Sequence, residues 1–461
     1  MRKSICWIKG KHSKLSNKER KEFYMKLKTL IAIICIVLLV SLSGGTIFAA
    51  NLLPITDWSL NEVYSIDYGE GKKAEYTLDG IIQIYKTSGP EYRKIELAYQ
   101  LNNLNLMRLD AELSAQNANQ EKYRQLINQN EILIELYQKE METLTEGSGE
   151  WVTVATSMDA CSLDLSMYQA YLADSIALKA DIYVQSENYK FVQANEELLR
   201  EQEQKKLVAD FKEKCLSLII LKENYNLADN SVEYNNILYQ INKANLDQGR
   251  ATQIDVDYQD AELLVAKNER ESVLSSYNNL YKHILRIIDI NENLSAEITI
   301  DIKNIRPQNI IKHSAAESSF EKNDIKAKQL IKNISIIDGK IDILDDVYEA
   351  ESSIIKIEEK NREIAKAELD TWLIERSINF NNLYSEYETK YDAVKIQEKK
   401  AAAQQKKYIV ARNKYNLGLI SKIELQEAEL RFRQSELDAW KALYNYVRAL
   451  DAVELAMLGV L

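Results

Sequence analysis

The chain has 461 residues and a formal charge of −11, with only 13 glycines and 3 prolines, far fewer turn formers than a sheet-rich fold of this length needs. The charge is uneven: residues 1–28 hold ten Lys/Arg and two acids, which leaves the remainder at −19. Phosphate binding needs a basic patch, so an acidic body excludes nucleic acid as the expected partner. His12, His283 and His313 lack paired ligand spacing and no glycine-rich phosphate loop exists, so neither an enzyme nor a metal or other cofactor is expected.

In chain order the leader comes first. Lys26 and Lys28 precede an apolar run from Thr29 to Leu42, and Ser43, Gly44 and Gly45 follow. Basic flank, apolar core and small residues together make a secretory signal. Thr29 to Ala50 is uncharged for 22 residues, which is also long enough for an uncleaved membrane anchor. Either outcome exports the chain, so residues 1–50 are assigned as leader, with 29–50 as the candidate membrane segment. Residues 51–75 read as a polar linker. Beyond the leader only Cys161 and Cys215 remain, too few for a disulfide framework.

From residue 76 onward the chain reads as helix with few interruptions, because no proline lies between Pro90 and Pro307 and each interior proline would cost about 3 kcal/mol. The clearest periodicity is late: Ala428, Phe432, Ser435, Ala439, Ala442, Tyr446, Ala449 and Val453 alternate spacings of four and three. That is a coiled-coil seam of mostly small residues. Leu437, Trp440, Leu443, Val447 and Leu450 form a second seam beside it, so this helix needs two neighbours. A second copy of the chain is the expected source of one of them. An internal repeat appears at an offset of 169 residues: Gly249, Thr252 and Asp255 align with Gly418, Ser421 and Glu424. Glycine ends the incoming helix in a left-handed conformation, and Thr or Ser then caps the outgoing one with an acid three residues on. Each segment is predicted to be a helix–turn–helix tip. The body is accordingly divided into a first repeat at 76–290, with its tip near 246–252, and a second at 291–461, with its tip near 415–421.

Gly-x-x-[Ser/Thr]-x-x-[Asp/Glu]-[Val/Leu], present twice, resembles the tip turn of the TolC family of outer-membrane efflux proteins. Leu78 to Tyr92, with Pro90-Glu91, is similar to that family's opening motif, and Ala449 to Gly459 is similar to its ending. The resemblance implies an all-α fold of two repeated long hairpins with little or no β-structure. It also implies a homotrimer closing a helical duct that works with a membrane transporter and a membrane-fusion adaptor. It places adaptor docking at Gly249, Thr252, Gly418, Ser421 and Tyr415, and entrance carboxylates at Asp255, Glu424 and Glu427. The residue chemistry alone equally makes Asp255 and Glu424 helix caps, and Ile420 stands where a basic partner for Tyr415 would be expected.

The chain departs from the family where paired barrel strands would fall. Of residues 111–165 only Trp151–Thr156 is strand-like, and 340–377 is charged and helical. No barrel and no outer-membrane span are therefore expected, and the second repeat is predicted to contain one long helix over about 316–416. The alternating Ile298, Ile300 and Ile302 are expected to form one short strand between the repeats. Two other functions fit the same residues: a structural envelope coiled coil without a conduit, and a membrane-fusion adaptor. The adaptor would need strand domains around its hairpin.

Overall fold

The computed structural model describes residues 63–68, 74–290, 296–301, 305 and 310–461. The leader and most of the linker lie outside them. By contacts the described chain divides into two units, one containing Ala402–Phe432 and the other Ser59–Ala401 with Arg433–Leu461.

The elements run β1 (Val63–Tyr68), β2 (Ala74–Thr77), α1 (Leu78–Ser88), α2 (Pro90–Met141), α3 (Gly149–Ala194), α4 (Glu196–Asp247) and α5 (Gln253–Ile287). Then come β3 (Ala296–Asp301), α6 (His313–Asn323), α7 (Ile325–Leu344), α8 (Ser353–Asn416) and α9 (Lys422–Met457). The protein is thus almost wholly helical, with two long hairpins reversing between α4 and α5 and between α8 and α9. The three strands form one small sheet in the order β1-β3-β2, with β3 antiparallel to β1 and parallel to β2. Ile298 and Ile300 are fully buried, as is Ile66 opposite Ile298; Ile302 lies outside the described residues. β1 and the start of β2 lie inside the stretch 51–75 that reads as a polar linker. The edge of β1 becomes useful only when β3, more than two hundred residues later, pairs with it.

One expectation is overturned, that of a long unbroken helix in the second repeat. The strand-like stretch Trp151–Thr156 forms the first turns of α3. Ser148 caps that helix by accepting from Trp151 N at 3.1 Å, and the Thr153 and Thr156 hydroxyls donate to the carbonyls of Gly149 and Val152 at 2.9 and 2.8 Å. A local cap and back-bonded threonines outweigh the β preference of branched side chains. The helix expected over 316–416 is interrupted at Asp324 and again by a turn at 345–352. Asp324 is almost fully buried and caps α7 through Ala327 N at 2.9 Å, while Trp372 Nε1 and Arg376 Nη1 donate to it at 3.0 and 3.1 Å. A buried charge with this many donors is satisfied where it sits.

The turn at 345–352 has a counterpart at 142–148. Ser148 N and Ser352 N donate to Thr145 O and Glu349 O, and each serine then caps the next helix. These serines are 204 residues apart, whereas the tips are 169 apart. The 35-residue difference is the excess of α3 plus α4 (149–247) over α8 (353–416). Leu344 and Ile355 pack on Ala180 of α3, so the second turn meets α3 about 31 residues, or roughly 47 Å, beyond the start of that helix. Lys332 pairs with Glu187 at 2.5 Å and Lys340 with Asp181 at 3.3 Å along the same junction. The α2–α3 hairpin therefore overhangs, and no residue from 131 to 174 is buried.

The two seams of α9 are both filled by this chain. Ala439, Ala442, Tyr446 and Val453 are buried, and so are Leu437, Trp440, Leu443 and Val447. Tyr446 packs against Tyr387 and Tyr391 of α8, with ring centroids 5.8 and 6.0 Å away. On α4, Lys212 pairs with Asp451 at 2.6 Å and Glu213 accepts from the Tyr444 hydroxyl. Both seams of this helix therefore find neighbours within the chain. In α5, Gln259, Leu263, Ala266, Tyr277 and Ile284 are likewise buried within the chain, with Gln259 donating to Asn235 of α4 at 3.0 Å.

Candidate functional site: the two hairpin tips

Each tip is built by backbone chemistry that its own residues supply. At the end of α4, Gly249 takes φ +69°, Gly249 N donates to Leu246 O at 2.9 Å, and Arg250 N donates to Asn245 O at 2.7 Å. At the end of α8, Gly418 takes φ +71°, Gly418 N donates to Tyr415 O at 2.9 Å, and Leu419 N donates to Lys414 O at 2.9 Å. Both are Schellman turns, in which a left-handed glycine lets the next two amides satisfy the last carbonyls of the helix. No atom lies within 4 Å of where a Cβ would stand on either glycine, so backbone conformation alone selects the residue.

The outgoing helices start with matching caps. Thr252 Oγ1 accepts from Asp255 N at 3.3 Å while Asp255 Oδ2 accepts from Thr252 N at 2.8 Å and from its hydroxyl at 2.7 Å. Ser421 Oγ accepts from Glu424 N at 3.2 Å, and Glu424 Oε2 accepts from Ser421 N and Oγ at 2.8 and 2.9 Å. Both pairs are capping boxes. The backbone bond from the capping residue, reinforced by its hydroxyl, holds each carboxyl below its ordinary pKa.

These contacts give the sequence-derived residues definite positions. Gly249, Thr252 and Asp255 sit in one turn, and Tyr415, Gly418, Ser421 and Glu424 in the other. Tyr415 is partly exposed and contributes its carbonyl to the turn. Asp255 and Glu424 are exposed and serve as caps, and Glu427 accepts from Arg431 at 3.3 Å. Within the second tip, Tyr408 stacks on Phe432 at 5.8 Å between centroids, which closes the hairpin behind the turn. Leu417 and Leu419 at this tip, and Ile254 at the other, are exposed apolar side chains. Sequence reasoning missed a further feature of α8. Eight basic residues against one acid occupy 395–422 in an otherwise acidic chain, and a groove of about 480 Å³ beside the turn is lined by Lys406, Lys407, Val410, Lys414, Ile420 and Glu424. The signal was available as a local charge reversal.

No protein-family model matches the chain, and no curated protein does. Among solved structures, the chain is similar to the Campylobacter jejuni CmeC outer membrane channel, at 13% identity and a TM-score of 0.42 over 63% of this chain and 68% of that one. It is also similar to the outer membrane protein VceC of Vibrio cholerae, at 10% identity and a TM-score of 0.41 over 83% and 96% of the two chains. The open state of the Neisseria gonorrhoeae MtrE outer membrane channel matches at 13% identity and a TM-score of 0.38, covering 83% and 89%. Among the described residues no helix is long and apolar enough to cross a membrane.

Proposed function

We propose that this chain is a component of a TolC-like helical duct in the cell envelope, acting in efflux or secretion as an oligomer, with three copies the expected number. The duplicated tip carries this reading: two Schellman turns with matching capping boxes, spaced 169 residues apart, end two long hairpins. A rigid reversal at the end of a long coiled coil is a suitable docking end for another helical hairpin, so Gly249, Thr252, Tyr415, Gly418 and Ser421 are assigned to adaptor docking. Asp255, Glu424 and Glu427 would face the entrance as rings of negative charge and favour cationic cargo. The proposed setting is outside the cytoplasm, with a membrane transporter as partner and residues 29–50 as the membrane contact. The first repeat at 76–290 and the second at 291–461 are the two units of the duct wall.

One observation favours a second reading. Residues 142–148 and 345–352 are short turns between helices, and an envelope scaffold without a conduit needs nothing more. Negative-stain imaging and mass measurement of the full chain in detergent separate the two: a hollow oligomeric cylinder supports the duct, and a thin single rod ends it. Docking has its own test. Gly418→Val should abolish co-purification with a membrane-fusion adaptor that the wild-type chain captures, while far-ultraviolet helicity stays near wild type. Undiminished capture of that adaptor would refute the docking role.

A further inference from the structure

Two helices of this chain carry a second, outward seam opposite their buried one, and the two outward seams have opposite charge. On α5, Ile254, Tyr258, Ala261, Val265, Asn268 and Ser272 alternate spacings of four and three, and all six are exposed, Ile254 at 78% and Val265 at 63%. Asp255, Glu262 and Glu269 flank this seam on one side, and Asp257 and Glu271 on the other. The buried α5 seam through Leu263 and Ala266 lies on the opposite side of the helix. On α8, Ile396, Ala403, Val410 and Leu417 recur every seven residues and are exposed, while Phe380, Tyr387, Val394 and Ala401 on the opposite side are buried. Lys395, Lys399, Lys400, Lys406, Lys407 and Lys414 surround that apolar line within an arc of about 140°. The equivalent face of α4, at the 169-residue offset, is Asn226, Asn230, Ser231, Ile237, Leu238 and Asn245. The lysines are therefore particular to the second hairpin and not a property of the repeat.

We propose that the acidic outward seam of α5 in one copy pairs with the basic outward seam of α8 in the next copy, so that charge joins unlike hairpins head to tail. The proposal rests on the oligomeric duct reading and specifies which helix faces make its seams. A heptad apolar line flanked by charge is the pattern of a coiled-coil face, in which the flanking residues choose the partner. The lengths agree as well: 254–272 spans about 27 Å and 396–417 about 32 Å of helix. Like faces repel, which prevents two-fold pairing of either seam with itself, and a head-to-tail contact generates a closed ring when its rotation allows. A second copy is favoured over another acidic protein because this chain itself supplies a seam of the opposite sign and matching length.

The test uses the full-length chain in detergent, with mass measured across salt concentrations. Wild type should assemble at low salt and dissociate progressively as screening increases, since the Debye length shortens from about 10 Å at 0.1 M to about 3 Å at 1 M. Lys399→Glu/Lys400→Glu/Lys407→Glu and Glu262→Lys/Glu269→Lys/Glu271→Lys should each weaken assembly at least tenfold with helicity retained. Combining all six changes in one chain, which exchanges the signs of the two seams, should restore it. A wild-type mass that both triple variants keep would overturn the pairing and leave the duct reading standing. Loss without rescue in the chain that combines all six changes would overturn it too, by showing that the lysines meet some other acid. A wild type that is monomeric at every salt concentration removes both the pairing and the duct.

Discussion

Gly249 and Gly418 carry a burden that no neighbouring side chain shares. Both hold positive φ in open space, so alanine introduces backbone strain without a clash, expected at about 1–2 kcal/mol per site. Urea denaturation of Gly249→Ala and Gly418→Ala should show losses of similar size, because the two turns have the same hydrogen bonds. Asp255 and Glu424 supply a pH dependence of definite sign. Each carboxyl is held below its ordinary value, first by the backbone amide of its capping residue. Their contribution to stability is complete above the unfolded values, about 4. It falls away as the pH drops through the lowered native values. Asp255→Asn and Glu424→Gln should therefore be less stable than wild type at pH 7 and converge on it near pH 2. A difference that persists unchanged into acid would assign the effect to packing instead of charge. These residues were legible in the sequence because a cap and a left-handed turn are decided within six residues of chain. The strand-like Trp151–Thr156 was misleading for the same local reason in reverse. Val152, Thr153, Val154 and Thr156 favour a strand, but Ser148 just before them caps a helix.

At the scale of elements, α9 is the helix whose neighbours only the packing could name. Its two seams were visible as periodicity, but both neighbours proved to be helices of the same chain, α4 and α8. Ala439 is fully buried on this helix, and enlarging it in a filled seam should cost about 1–3 kcal/mol. Ala439→Leu is thus expected to lower the thermal midpoint, and an unchanged midpoint would mean that the seam is loosely packed. The strand β1 was hidden for a different reason: Val63, Tyr64, Ile66 and Tyr68 in a polar stretch carry no strand signal until β3 is brought beside them. The break at Asp324 was hidden too. An aspartate in a charged run looks solvated until Trp372 and Arg376, about fifty residues later, converge on it.

Over the described residues, the second repeat is shorter on both sides of its inner turn: α7 has 20 residues where α2 has 52, and α8 has 35 fewer than the stretch 149–247 of α3 plus α4. The consequence is an α2–α3 hairpin that runs past its support, with nothing buried between 131 and 174. Such a segment opens more readily than one packed on several sides. Hydrogen exchange followed by mass spectrometry should find peptides from 131–174 exchanging well before those of 205–225, where Phe211, Cys215, Leu218 and Ile219 are buried. Equal protection in the isolated chain would mean that the overhang is held by contacts beyond its own two helices.

Composition and short-range motifs were enough to read the helical class, the two reversal points and their caps, and the charge imbalance between leader and body. Proline content, capping chemistry and net charge act locally or in aggregate, so those features need no partner to be read. Long-range packing settled which seam faces which helix, where the small sheet closes, and that the α7–α8 turn stops roughly 47 Å short of the α2–α3 turn. A heptad specifies that a helix has a neighbour but not its identity, since apolar burial is non-directional and any face of matching shape and charge will satisfy it.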